Sequence, residues 1–299
     1  MNQQPSVKAF SSSWSFQLMA VFALIFIGIL LGSLLTVAIT KALGVDYATI
    51  VQAVRIDNSL FVRNLVRTFT IINQVAMFGA PALLFAVLIA GKWWQFFQFH
   101  QFPKFYTLGL GVLFLLSIFP LAQALLHFNK QLPLPDWAVS MESNLTDLIK
   151  GLLVMDTPIE FLFSVLTIAL IPAICEEMMF RGVIQQQLGK LTARPVLAIW
   201  ITAVIFSSVH GQFEGFLPRL LLGASLGYLY YWSGTLWVSI IAHAFNNGMQ
   251  IAVLYFSTAE MQQVENLEPQ IPFALVLLCT IFALSIGYLL NKQSFVNKS

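Results

Sequence analysis

Long apolar runs recur along almost the whole chain, near residues 15–40, 66–91, 106–127, 158–182, 195–212, 217–233, 235–256 and 272–291. An α-helix needs about 20 mostly apolar residues to cross about 30 Å of hydrocarbon, so each run predicts a transmembrane helix. The boundaries within 195–233 are the hardest to place. Short turns such as Trp232-Ser233-Gly234-Thr235 separate the runs. Two amphipathic connectors, 48–64 and 92–105, carry Trp93, Trp94 and phenylalanines suited to the headgroup level. The expected fold is an all-α, polytopic transmembrane bundle of about eight helices. Residues 1–299 form a single membrane domain, with 1–13 as a polar N-terminal tail.

Composition agrees with the pattern. The chain is 58% hydrophobic and 9% charged, with a mean hydropathy of +0.81, whereas a soluble domain carries roughly a quarter charged residues. A water-soluble fold is excluded, because so much apolar surface cannot be hidden from water. The net charge of +2 is dispersed, and no run of Lys and Arg could track phosphates, so nucleic acid is not an expected partner. Membrane lipid is. Cys175 and Cys279 both fall in apolar segments, where an unpaired thiol behaves as a small hydrophobe. The apolar stretch after the polar tail is too long for the core of a cleavable signal, so the first helix itself is expected to direct translocation.

Charge also suggests sidedness. Lys8, Lys92, Lys104, Lys190, Arg194, Lys292 and Lys298 would share one side, which the positive-inside rule makes cytoplasmic. The reading is an integral, multi-pass protein with both termini in the cytoplasm, in the plasma membrane if the source is bacterial. The opposite loops would hold Asp136, Glu142, Asp147 and Asp156, and later Glu260, Glu265 and Glu268; Arg55 and Arg63, within 41–65, run against the rule. There is no internal repeat, and Gly223-x-x-x-Gly227 reads as a small-residue spacing for close helix packing.

Ionisable side chains at membrane depth cost about 2.5 kcal/mol or more each on insertion scales, so they mark function until a structural partner explains them. Three clusters stand out: Glu176-Glu177 with Arg181 at the end of the fourth run, Phe206-x-x-x-His210 at the end of the fifth, and His243-x-x-x-Asn247 in the seventh. Glu177 and Arg181 are four apart with the acid first, the favourable order for an ion pair on one helix face. Glu176 then points about 100° away and is left unpaired. Burial and a neighbouring like charge both favour the neutral form of a carboxyl, which suits a group that takes and returns a proton. His243 and Asn247 share a face and offer a ring N–H and an amide toward one point, as an oxyanion requires. Asn246 is a rival in poorer alignment. Phe206 would wall His210 into one rotamer, while His100 and His127 sit at interfaces with no evident role.

Other chemistries find no support in the residues. No histidine begins a His-Glu-x-x-His zinc motif. The nearest approach to a Gly-x-Ser-Gly serine site has Tyr231 before Trp232-Ser233-Gly234, the five aspartates Asp46, Asp57, Asp136, Asp147 and Asp156 all fall in expected loops, and a buried Cys175 is an inert thiol.

The three clusters, in this order on successive helices, resemble the CAAX prenyl endopeptidase and bacteriocin-processing family, also called CPBP or Abi. Its pattern is Glu-Glu-x-x-x-Arg, Phe-x-x-x-His and His-x-x-x-Asn or Asp. Every motif position is filled here, within a catalytic core of about 155–255. The resemblance implies an intramembrane endopeptidase, of glutamate type or metal-dependent, cleaving a membrane-associated or lipidated protein or peptide. It implies that Glu176 and His210 activate the attacking water, that His243 and Asn247 stabilise the oxyanion, and that Glu177, Arg181 and Phe206 support the site. The cofactor is either none or Zn²⁺; if zinc, its ligands would be Glu176, His210 and His243. Two rival readings remain: a non-enzymatic membrane scaffold or bacteriocin-immunity-type binding protein, and a proton-coupled transporter, which would show a symmetry between halves that is absent here.

One difficulty follows from drawing simple antiparallel spans: they place Glu176 and His210 near opposite ends, too far apart for shared chemistry. Either Pro172 bends the fourth helix, or the segment after His210, with Gly211 and Gly215, brings the histidine deeper. Non-helical backbone is tolerated at depth where it lines a wet cavity.

Overall fold

The computed structural model describes residues 13–47, 49, 50, 59–257 and 271–296, and among these every regular element is helical. In chain order they are α1 (Trp14–Ala42), α2 (Leu60–Ala90), α3 (Trp93–Phe96), α4 (Phe105–Lys130), α5 (Asp136–Leu152), α6 (Pro158–Thr192), α7 (Pro195–Ser208), α8 (Phe216–Ser233), α9 (Leu236–Phe256) and α10 (Phe273–Val296). Side-chain oxygens start several of them: Ser13, Ser59, Thr157 and Thr235 each accept from a backbone N–H of the first turn. The Glu260, Glu265 and Glu268 expectation, the polar tail before Ser13 and most of connector 48–64 lie outside the described residues.

Among the described residues, five helices are long and apolar enough to cross a membrane: α1, α2, α4, α6 and α10; α7 is a shorter apolar helix of 14 residues. The eight expected spans correspond to these six together with α8 and α9. The outer surface of the bundle is largely apolar, and its interior mixes apolar with polar and charged side chains. Leu34, Leu278, Leu284 and Phe105 are among many exposed apolar side chains, while Arg67, Arg181, Glu177, Ser164 and Thr167 are fully buried.

Three stretches widen from α to π geometry: Val75–Gly79 in α2, and Val165–Leu170 and Met178–Gln185 in α6. The first two end just before Pro81 and Pro172. A proline inside a helix has no N–H for the carbonyl four residues back and clashes with it, and a wider turn accommodates both problems without breaking the helix. Pro172 therefore does not end α6, which runs on to Thr192 rather than stopping near 182.

The expected loop holding Asp136, Glu142 and Asp147 is instead the 17-residue helix α5. Asp136 in its first turn and Lys150 in its last suit the helix dipole. The contrary charge of Arg63 is explained by pairing. Arg63 and Arg67, on α2, both reach Glu160 of α6 at 2.9 and 3.0 Å, and Arg63 also reaches Asp156 at 2.6 Å. Arg67 further donates to the carbonyls of Leu152 and Val154, tying the end of α5 to α2.

Some of the ends predicted to share one side lie together, while Lys8 and Lys298 lie outside the described residues. The Lys190 ammonium lies 4.9 Å over the Trp14 ring, and Lys104, Thr235 and Leu290 line one small cavity. Connector 92–105 contains the short helix α3 and buries Phe97 fully, with Trp93 and Trp94 left exposed.

Candidate active site

Glu176, Glu177 and Arg181 lie on α6 near its middle, not at its end. This removes the difficulty of depth. From the turn at 193–194, Glu176 and His210 are each about 16 residues away along α6 and α7, hence each about 24 Å above it. Helix α7 stops at Ser208, and His210 opens a non-helical loop, 209–215, partway through the bundle.

Such a loop survives at depth only if its backbone groups find partners. Glu142 of α5 accepts from the Phe213 N–H at 2.7 Å. Asn129 of α4 donates to the Phe213 and Glu214 carbonyls, Arg219 of α8 to the Gln212 carbonyl and side chain, and Ser207 to the Phe216 carbonyl. Gly211 has φ +65°, a left-handed conformation that favours glycine.

At the centre, Glu177 Oε1 accepts from Arg181 Nη1 at 2.7 Å and from His243 Nδ1 at 2.9 Å. The Arg181–Glu177 pair is the i, i+4 bridge expected from spacing, and both side chains are fully buried. Arg181 also donates to the Gly223 carbonyl and lies 4.8 Å from the Phe206 ring. A Cβ on Gly223 would come within 3.1 Å of Phe206, and one on Gly227 within 2.8 Å of Gln185, so the Gly223-x-x-x-Gly227 spacing does serve close packing.

Because a carboxylate only accepts, His243 carries its hydrogen on Nδ1. Its Nε2 faces Glu176 Oε2 at 3.9 Å. Glu176 is buried, and its other oxygen accepts from Gln74 Nε2 of α2 at 2.8 Å, so the carboxylate is not left without a partner. His210 Nδ1 meets the Phe206 carbonyl at 2.7 Å and is likewise the protonated nitrogen, leaving Nε2 free. The Phe206 ring stands 4.9 Å from the His210 ring and 6.1 Å from that of His243, edge-on to both.

Asn247 is placed differently. Its Nδ2 donates to the Ile168 carbonyl at 3.3 Å, and its Oδ1 accepts from Asn246. Ile168 is four residues before Pro172, whose ring has no N–H to offer that carbonyl. One amide hydrogen of Asn247 is thus used to satisfy α6. Cys175 and Cys279 are free thiols, as expected. The sequence reading missed Gln74, Arg67, Asn129 and Arg219. Arg67 and Arg219, as charges within apolar runs, carried the same signal that singled out Glu176.

Both imidazoles tie Nδ1 to an oxygen and present Nε2, as zinc-binding histidines do. Among the described residues, however, no three His, Cys, Asp or Glu side chains stand close enough to share one ion. The ligand set Glu176, His210 and His243 is not assembled in this geometry.

Residues 158–249 match the Rce1-like family, described as type II CAAX prenyl endopeptidase Rce1-like. The family likeness read from the three motifs agrees with that match, and the Rce1-like segment contains all of them. A stretch of 83 residues is 30% identical to the "Uncharacterized protein YpbD" of Bacillus subtilis (strain 168), covering 26% of this chain and 39% of that protein. The chain thus spans well under half the length of this curated relative. No solved structure matches it.

Proposed function

We propose that the protein is an intramembrane endopeptidase acting on a membrane-associated, including lipidated, protein or peptide. The observation that carries this reading is the buried facing pair, Glu176 Oε2 and His243 Nε2 at 3.9 Å, whose remaining atoms are already held by Gln74 and Glu177. A polar gap between two groups with free lone pairs, inside an apolar bundle, suits a water that is to be activated rather than a packing contact.

In this mechanism Glu176 takes the proton of the attacking water, with His210 Nε2 accepting the other hydrogen bond, and returns the proton to the leaving amine. The oxyanion is met by the second amide hydrogen of Asn247 and by His243, which takes up a proton from bulk water at Nε2 before the step, donates it in a hydrogen bond to the oxyanion as the imidazolium with Glu177 as counter-charge, and keeps it through the cycle. Arg181 and Phe206 fix Glu177 and the two rings. No step is drawn through a metal.

The test compares the C-termini of membrane proteins from cells carrying the parent or Glu176→Ala. Termini that depend on the parent are expected; identical sets from both would refute proteolysis. Glu176→Gln separates the scaffold reading, under which it keeps the parent's phenotype. Activity of the purified protein should persist in a chelator, and its loss would reassign Glu176, His210 and His243 as ligands.

A further inference from the structure

Residue Gln74 lies on α2, outside the Rce1-like segment, yet it makes a direct hydrogen bond that fixes an oxygen of Glu176. The direction of that bond is set by chemistry, since an ionised carboxylate can only accept and the amide must turn its Nε2 toward it. With Oε1 of Glu176 taken, Oε2 is the oxygen left facing His243 Nε2. The amide's own Oε1 is buried and has no partner. A residue chosen for packing in this apolar helix would carry no such unmatched acceptor, because a buried polar atom without a hydrogen bond is a net cost.

The local fold brings Gln74 to this height. It stands seven residues after Arg67, almost two full turns, and so continues the α2 face that meets α6 at Glu160. The π stretch Val75–Gly79 begins at the next residue. Just beyond, Gly79 approaches Cys175 so closely that a Cβ would lie 2.8 Å from its Sγ, and Phe78 meets Phe180 with ring centroids 5.2 Å apart. Helix α2 is thereby locked against α6 on both sides of Glu176 in sequence.

We propose, resting on the hydrolytic reading above, that Gln74 is a positioning residue: its amide N–H₂ holds the Glu176 carboxylate in the one rotation that aims Oε2 at the water. The Rce1-like segment alone does not orient its own base, and α2 completes it.

The test uses the full-length protein reconstituted in lipid and a peptide spanning one parent-dependent cleavage site from the comparison of termini. Gln74→Met keeps the length of the side chain and removes the donor. Gln74→Glu keeps the shape and replaces the donor with a second acceptor. Both are expected to lower kcat roughly 10- to 100-fold, the range for one hydrogen bond to a charged group. KM should stay within about twofold, and the unfolding temperature of Gln74→Met should fall by no more than the few degrees that one lost hydrogen bond costs. Either a kcat within about twofold of the parent in both variants, or a loss that tracks a larger drop in unfolding temperature, overturns the proposal. Glu176→Ala is the control that separates the two claims. If it cleaves as fast as the parent, the hydrolytic reading fails; if it is inactive while the Gln74 variants are not slowed, only the role of Gln74 fails.

Discussion

Replacing Arg181 with methionine removes one cation from the interior and nothing from the surface. The guanidinium lies 2.7 Å from Glu177 and 2.9 Å from the Gly223 carbonyl, with both members of the ion pair fully buried. Arg181→Met leaves Glu177 with only the His243 N–H. Deleting one partner of a buried pair costs about 3–5 kcal/mol, because the other charge stays behind without solvent. At about 2–4 °C per kcal/mol for a chain of this size, the unfolding midpoint should fall by roughly 6–20 °C. Thermal unfolding of the purified protein in detergent, followed by intrinsic tryptophan fluorescence, measures this. The double variant Glu177→Leu with Arg181→Met should recover most of the loss, since apolar replacement of a whole buried pair is often neutral. It should stop short of the parent, because His243 Nδ1 then lacks its acceptor, a cost of about 1–3 kcal/mol. A midpoint for Arg181→Met within about 2 °C of the parent would refute the reasoning.

The pairing of Asn247 with Ile168 predicts a thermodynamic coupling to Pro172. Asn247→Ala should cost about 1–3 kcal/mol by stranding the carbonyl, and less in a Pro172→Ala background, where the restored N–H can take it; a double-mutant cycle on unfolding midpoints shows whether the two are coupled. Glu142→Ala should speed hydrogen exchange at the Phe213 amide and reduce activity through the His210 loop, whereas Glu142→Gln keeps an acceptor and should leave both near the parent; equal exchange in all three would detach α5 from the site.

The helical bundle could be read from the spacing of apolar runs because a membrane span announces itself by length alone. Helix α5 could not be read the same way. Trp137, Met141, Leu145, Leu148 and Leu152 carry a helical period, but its acidic residues were weighed only for sidedness. The three motif clusters marked Glu176, Glu177, Arg181, His210 and His243, since charge and imidazole have no ordinary reason to be in lipid. What brings them together is less visible. The depth of His210 depends on α6 running ten residues past 182 and on a loop whose partners, Asn129, Glu142 and Arg219, come from three other helices. Gln74 gave no charge signal, and the use of Asn247 on Ile168 depends on a proline whose effect on the neighbouring carbonyl shows only once α9 is packed beside it.

Helices α8 and α9 carry Arg219, His243, Asn246 and Asn247 and do not reach the apolarity of the five long spans. A segment with that burden partitions poorly into hydrocarbon by itself. Biogenesis of this protein is therefore a cooperative event for its C-terminal half: the residues that would handle water and peptide delay the membrane entry of the helices bearing them until Glu177, the Gln212 backbone and the Ile168 carbonyl are there to receive them.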